Sequence, residues 1–576
     1  MKKLLINLPK RVVVLIFICF ILVCGQVWLE LEMPEYMSKI TMLVETPGSK
    51  IHDILHNGMS MVFCALFSLI LSIIVGFLTS EISAKFSMAI RRNLFKKVIE
   101  LDLEDIESFS VSSLVTRTTN DITQIQMIVS MGLQLILKAP IMAILVIIKL
   151  LENDWKWSLL TTICMMLITC IISAVVIIVS PKFRKMQKCT DDLNNVLKEN
   201  LTGIHVVKAF DAENYEENKF EKINSELTDI QLKNQKSLAI KTPILYLSMY
   251  LIVLGIYFLG AYIIKNAFMV EKLAIYGDMI VFASYAMQII SIFLMLSNII
   301  SLLPRAEVSA NRINEVLDKE IKMKSGNVKI SENNIEKIEF KNVSFKYSNS
   351  KENILNKVSF KINKGEKILI LGNTGSGKTT LVNLILRFFD VSSGEILIDG
   401  VNIKDYESES LYKKMSYIPQ KPIIFKDTLK NNIVYGSKNN TKIETAIDLI
   451  EEETNDKLLN QIISKNEINL SMGQKQKIAI ARSILRKPEI YIFDDAFSGL
   501  DDVTEKDIID RVKKHDNNAT LILISENLKN YKLADKLLVL DKGNCVGFGT
   551  HEELIDSCVI YKEMFKQGGE TIWLKD

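Results

Sequence analysis

Nine residues, GNTGSGKTT (372–380), combine the residue types and spacing of a phosphate cradle. They follow an apolar, strand-like run, KILIL (367–371), and open a helix-like run, LVNLILRFF (381–389). Glycines at such a junction let successive backbone N–H groups turn inward at a helix N-terminus, where an anion is stabilised. Gly372, Asn373, Thr374, Gly375, Ser376 and Gly377 then line the phosphates. Lys378 brings positive charge to the terminal phosphates, the Thr379 hydroxyl ligates Mg2+, and Thr380 begins the helix beside it. A second apolar run, EIYIF (489–493), ends in Asp494 and Asp495. A carboxylate closing a buried strand suits coordination of the same metal.

The chain that carries this site has two parts of opposite character. It has 576 residues, 48% hydrophobic and 24% charged, with a net charge of +3. That length calls for more than one domain, and that mixture for a membrane part joined to a soluble part. Near-neutral charge gives no reason to invoke nucleic acid. The 8 cysteines form no CxxC pair or zinc spacing, and most lie in or beside apolar runs, which argues against a disulfide framework or a metal site. Apolar runs long enough to cross a bilayer fall near 12–31, 59–79, 128–151, 157–180, 243–265 and 275–303. The first lacks a cleavage site and reads as a retained helix.

Basic residues set the orientation. Lys2, Lys3, Lys10 and Arg11 precede the first span; Arg91, Arg92, Lys96, Lys97 and Arg117 follow the second; Lys182, Arg184, Lys185 and Lys188 follow the fourth. The positive-inside rule makes that face cytoplasmic, with both termini on it and with 30–35 and 152–154 as acidic external loops. The connections 80–127 and 181–241 are polar and poor in Gly and Pro, so the helices are expected to run on beyond the bilayer. After Pro304 comes an amphipathic stretch, then a polar linker.

Between the phosphate cradle and Asp494 lies LSMGQKQKIAIARSIL (470–485), which resembles the signature motif of the ABC transporter family. Further stretches occur in that family's order. Tyr347 in VSFKY resembles its adenine-stacking aromatic, Gln420 in SYIPQ its Q-loop, and SGLD (498–501) its D-loop; GTHEEL (549–554) resembles a stretch near the end of the domain. SSLVTRTTND (112–121), KAPIMA (138–143) and ENLTGIHVVKAF (199–210) resemble the exporter branch. The resemblance covers nearly the whole chain. It implies a multi-domain protein: an all-α six-helix transmembrane domain (1–318), a linker (319–334) and an α/β P-loop nucleotide-binding domain (335–576). It further implies a half-transporter with ATP and Mg2+ as cofactors and Thr379, Gln420 and Asp494 around the metal. Two halves would sandwich each ATP between one P-loop and the other's Ser471, Gly473 and Gln474.

Three residues depart from the family's pattern. Asp495 stands where the family has a glutamate base; it is one methylene, about 1.5 Å, shorter, and a base must come within hydrogen-bond reach of its water. Glu526, after TLILI and Ser525, stands where the family has its switch histidine. An ionised carboxylate about 4 Å from a phosphate charge is repelled by about 4 kcal/mol at an effective dielectric of 20. Met472 replaces a glycine in the signature run. A homodimer would carry these departures twice, so the expected partner is a different half with its own Glu and His, facing the signature residues of this chain. The alternatives are a non-hydrolytic regulatory or gating subunit and a homodimeric slow ATPase. The expected location is the plasma membrane, and the expected cargo a small molecule, lipid or peptide of amphipathic or hydrophobic character. Tyr246, Tyr250, Tyr257, Tyr262, Tyr285, Gln288 and Met295 either line a cavity for it or pack between helices and against lipid.

Overall fold

The computed structural model describes most of the chain; residues 1–9, 152–184, 330–334, 438–442, 448–458, 464–469, 526–527 and 568–576, with a few single positions, lie outside the described residues. Two compact units emerge, one from Met1–Glu100 and Phe109–Lys319, the other from Leu101–Ser108 and Glu320–Asp576.

The first unit is helical. Its long helices are α1 (Lys10–Glu45), α2 (Ile51–Glu100), α5 (Ile122–Leu151), α7 (Glu213–Asn266) and α8 (Met269–Ile300). Its shorter pieces are α4 (Val111–Thr116), a π-helical turn over Arg117–Asp121, α6 (Ile204–Ala209) and α9 (Leu303–Leu317), whereas α3 (Leu103–Phe109) belongs, but for Phe109, to the second unit. Five stretches among the described residues are long and apolar enough to cross a membrane. They fall on five of the six expected spans; the remaining one, 157–180, is outside the described residues. The 50 residues of α2 and the 54 of α7 extend about 75 and 81 Å at 1.5 Å per residue, against a hydrocarbon core of about 30 Å. The helices do run on far beyond the bilayer, as the polar connections imply.

One expectation fails here. Residues 30–35 are not a loop, because α1 continues as helix to Glu45. Partners distant in sequence explain the difference. Lys138 Nζ lies 2.8 Å from Glu30 Oε1, and Lys149 Nζ lies 2.9 Å from Glu32 Oε1 and 2.7 Å from Glu35 Oε1. Carboxylates that read as solvated are half-buried and paired across α1 and α5. Tyr285 of α8 belongs to the same polar seam. It is 1% exposed and donates to Leu31 O at 3.1 Å and Glu35 Oε1 at 3.2 Å. Gln288 Nε2 donates to Glu30 O at 3.4 Å. These two side chains pack between helices, whereas Tyr246, Tyr250, Tyr257, Tyr262 and Met295 are exposed on the unit's surface.

The second unit is α/β. β1 (Glu336–Phe345), β2 (Leu355–Asn363), β4 (Ser393–Ile398) and β5 (Val401–Asn402) form an antiparallel sheet in the order β2-β1-β4-β5. β3 (Lys367–Gly372), β6 (Met415–Ile418), β7 (Ile490–Asp494), β8 (Thr520–Ile524), β9 (Lys536–Asp541) and β10 (Asn544–Gly549) form a six-stranded sheet in the order β10-β9-β3-β8-β7-β6. Its strands are parallel except β10, which pairs antiparallel with β9. β7 and β8 are buried at every position, as expected for central strands covered on both faces. The helices that matter for the site are α10 (Lys378–Ile385), α11 (Ser408–Lys414), α12 (Leu429–Val434), α13 (Met472–Arg486) and α14 (Asp502–His515).

Candidate nucleotide site

β3 lies at the centre of the six-stranded sheet, so its C-terminal end opens at the sheet's edge, where α/β folds bind ligands. Gly372 ends the strand, and a Cβ there would collide with Ser376 Oγ and Leu540 O. Gly377, the N-cap of α10, sits at φ +104°, and a Cβ would meet Leu355 Cδ2 at 2.8 Å. Side chains at either position would close the loop's tight turn. Inside the loop Ser376 Oγ is buried with no hydrogen-bond partner among the described residues. An orphaned hydroxyl in a glycine-rich loop at a helix N-terminus fits an anion's oxygens. Lys378 Nζ donates to Gly372 O at 2.6 Å and to Asn373 O at 3.2 Å, so the ammonium is held against the loop it serves. Asn373, Thr374 and Gly375 are exposed at the loop's crest, and Thr379 is exposed beside buried Thr380.

Tyr347 sits near the same helix: its hydroxyl is 3.2 Å from Thr380 Oγ1, and its ring meets Phe345 and Phe389 edge-on at 4.9 and 5.2 Å.

The two acidic residues after β7 take different environments. Asp494 is buried and accepts a hydrogen bond from Tyr417 Oη at 3.0 Å. Burial raises its carboxyl above the usual range, the Asp495 charge adds to that, and Tyr417 and Lys378 partly offset it. The Tyr417 hydroxyl is itself driven well above its ordinary value by burial and the Asp494 charge, so it stays a donor. Asp495 has left the strand conformation, with φ +47°. Its N–H donates to Ile524 O at 3.0 Å, and its Oδ2 accepts from Gln420 Nε2 at 2.8 Å. The Gln420 amide nitrogen is thus committed to Asp495, while its carbonyl oxygen is the atom suited to a metal.

Tyr417 lies in SYIPQ, three residues before Gln420, where nothing in the sequence marks it as a partner of Asp494. Tyr417→Phe removes only the donor. The expected result is an acid limb of Mg-ATP binding displaced to higher pH, because Asp494 loses a bond that favours its charged form. The affinity loss at neutral pH is expected at roughly tenfold, the scale of a hydrogen bond to a charged group. A titration with and without Mg2+ checks this; an unmoved acid limb would remove Tyr417 from the metal's support.

The signature run lies elsewhere in the unit. Ser471 is the N-cap of α13 and makes a capping box with Gln474: Ser471 Oγ accepts from Gln474 N at 3.2 Å, and Gln474 Oε1 accepts from Ser471 N at 3.0 Å. Such a box stabilises a helix start and aims its free N–H groups outward. A Cβ on Gly473 would come within 3.0 Å of Gly499 O, and Met472 is 40% exposed, with its Cγ beside Gly499. Gln476, fully buried and not singled out in the sequence, bonds Gly499 N at 3.1 Å and Ser498 Oγ at 3.3 Å. Its signal was visible: a glutamine on the apolar face of an amphipathic helix needs partners. The start of α13 is therefore tied to the SGLD turn, not to the phosphate loop of its own chain. Glu526 lies outside the described residues; its neighbour Ser525 Oγ accepts from Asn530 at 3.2 Å.

Known proteins resemble this chain in sequence and in fold. The family described as ABC transporter transmembrane region matches residues 15–293, and that described as ABC transporter matches 355–498. An uncharacterised ABC transporter ATP-binding protein of Bacillus subtilis, YfiB, is 32% identical over 559 residues, covering 95% of each chain. An ATP-dependent lipid A-core flippase of Pseudomonas savastanoi is 31% identical over 510 residues, covering 85% of this chain and 82% of the flippase. The structure of a bacterial Atm1-family ABC exporter with ATP bound superimposes with a TM-score of 0.82 at 22% identity, covering 98% of this chain and 99% of that one.

Proposed function

The chain belongs to the ABC transporter family, with a membrane region, an ATP-binding region and the fold of an Atm1-family exporter, and from that premise we propose that it is the degenerate half of a heterodimeric exporter. In this reading its P-loop, Gly372–Thr380, with Tyr347 on the adenine, holds ATP that is hydrolysed slowly. Ser471, Gly473 and Gln474 complete the partner's site, where a glutamate and a histidine do most of the turnover. Mg2+, held by Thr379, Gln420 and Asp494, would screen the charge of the β- and γ-phosphates. Both termini are cytoplasmic, the membrane is the plasma membrane, and the cargo is amphipathic or hydrophobic.

The observation that carries the reading is the state of Asp495. A base must present a free oxygen to water, yet this shortened carboxylate sits at φ +47° with Oδ2 on the Gln420 amide. One of its two oxygens is turned to the Q-loop, and the side chain is a methylene too short to carry the other as far as a glutamate would. The reading is tested by Mg-ATPase assays on the purified chain and on the chain assembled with its partner half. ATP binding with little turnover is expected from the chain alone, and robust turnover from the pair. Asp495→Asn should change the pair's rate by less than about twofold, whereas replacing the partner's glutamate should remove the rate. Rapid turnover by the chain alone, lost in Asp495→Asn, would establish Asp495 as a working base instead.

A further inference from the structure

Between α1 and α5, within the membrane spans, lies an apolar cleft of about 470 Å³ lined by Phe20, Cys24, Gly25 and Trp28 on one side and Ile141, Ile144 and Leu145 on the other. Its size falls within the roughly 300–1,000 Å³ of small-ligand sites. Phe20, Trp28 and Ile144 are 42%, 52% and 58% exposed, so the cleft opens outward from the described helices, while Ile141 closes its floor.

What stands at its outer end sets it apart from an ordinary lipid-facing seam. Phe20, Cys24 and Trp28 recur every four residues on α1, and the next residue in that row is Glu32, followed by Glu35. On α5 the residue one turn beyond Leu145 is Lys149. Side chains at i and i+4 share a helix face, so both apolar rows end in the triad in which Lys149 Nζ bonds Glu32 and Glu35. Four residues rise about 6 Å. With all three groups charged, the triad carries two negative charges against one positive. Ionisable groups this close to hydrocarbon are costly, and they persist where they pair or bind.

We propose that this cleft binds one acyl chain of a membrane aminophospholipid, whose ammonium group rests on the Glu32 and Glu35 carboxylates and whose phosphate faces Lys149. Charge complementarity selects this occupant. An apolar slot alone takes any acyl chain, whereas a net-negative triad with one central ammonium favours a head group that supplies a cation and an anion together and disfavours a purely anionic one. The inference rests on the membrane unit alone, and its test needs no ATP, so its failure and that of the degenerate-half reading are distinguishable.

Trp28 lines the cleft and serves as the probe. In the full chain carrying Trp155→Phe, Trp157→Phe and Trp573→Phe, reconstituted in nanodiscs, Trp28 fluorescence is quenched by phosphatidylethanolamine or phosphatidylglycerol brominated on the acyl chain. The ethanolamine lipid is expected to quench about fivefold more effectively at equal mole fraction, equivalent to about 1 kcal/mol of preference. Glu32→Gln with Glu35→Gln should bring the ratio to about one, and Ile144→Phe, which narrows the cleft from its lipid-facing lip, should weaken quenching by both. Equal quenching of the unaltered triad by the two lipids would reduce the cleft to annular contact and overturn the proposal. Absence of quenching by either would mean that protein covers the cleft, and overturns it as well. The comparison of lipids on the unaltered triad and the Ile144→Phe variant decide the matter even if the double glutamine variant fails to fold.

Discussion

Asp495→Glu combined with Glu526→His is expected to raise ATP turnover at this chain's own nucleotide site by about a hundredfold, the lower end of what a positioned acid–base group contributes. Asp495 is anchored by its N–H on Ile524 O and by Oδ2 on Gln420. A glutamate on the same backbone extends its oxygens by about 1.5 Å, far enough to leave the glutamine amide and approach a water beside the γ-phosphate. The second change follows β8, where Glu526 comes two residues after the buried strand end at Ile524. It replaces a carboxylate, which near a phosphate costs about 4 kcal/mol at an effective dielectric of 20, by a hydrogen-bond donor. The two groups act on one transition state, so neither change alone should give more than about tenfold. Under the heterodimer proposal, the measurement is single-turnover hydrolysis by the chain paired with a partner half whose catalytic glutamate has been replaced by glutamine, which silences the other site. A flat rate in the double variant would show that Asp495 and Glu526 are not what limits this site.

The parts of the site read most easily from sequence are those fixed by local geometry. Gly377 must be glycine because its φ and the nearby Leu355 Cδ2 exclude a side chain, so its spacing from Lys378 is readable without a structure. β7 announces itself by an apolar run ending in two acids, and the membrane spans by length and hydropathy. What was not legible lies in contacts between residues far apart in sequence. Residues 30–35 look like an acidic loop because Lys138 and Lys149, 108 to 117 positions away, cannot be seen to pair with them. Tyr417 is 77 positions from Asp494, and Gln420 is 75 from Asp495. Adjacent β6 and β7 bring them together in register, with Ile418 opposite Phe493. Asp495 could be recognised as short; that it is also engaged could not.

The same kind of distant contact holds the two sheets of the nucleotide-binding unit together, and there Asp399→Leu is expected to destabilise the unit by about 3–5 kcal/mol. Asp399 follows β4, and its N–H donates to Lys337 O of β1 at 3.1 Å. Its carboxylate takes Lys337 Nζ at 2.7 Å on one oxygen and Lys414 Nζ at 2.7 Å on the other. Glu489, just before β7, pairs with both lysines but is 45% exposed. Lys337 and Asp399 are each 1% exposed, so removing Asp399 leaves two ammonium groups facing each other with one half-exposed carboxylate between them. Burial alone would push the Asp399 carboxyl up, but the bonds and charges of Lys337 and Lys414 hold it below the usual carboxylate range. A depressed folded pKa stabilises above the unfolded value, about 3.9, and that stability is lost as pH falls through the folded value. The gap between the unaltered protein and Asp399→Leu should therefore be full at neutral pH and shrink in acid below about pH 4. Adding Lys337→Met to Asp399→Leu should recover most of the loss, since a buried pair replaced by apolar groups is often close to neutral, and the two residues are in direct contact. Calorimetry of the solubilised full chain, following the transition of the nucleotide-binding unit across this pH range, provides the measurement. A loss below about 1 kcal/mol would mean that apolar packing alone holds β1 and β4 to the parallel sheet, and a full loss without recovery in the double variant would mean that the uncompensated lysine charge is not its cause.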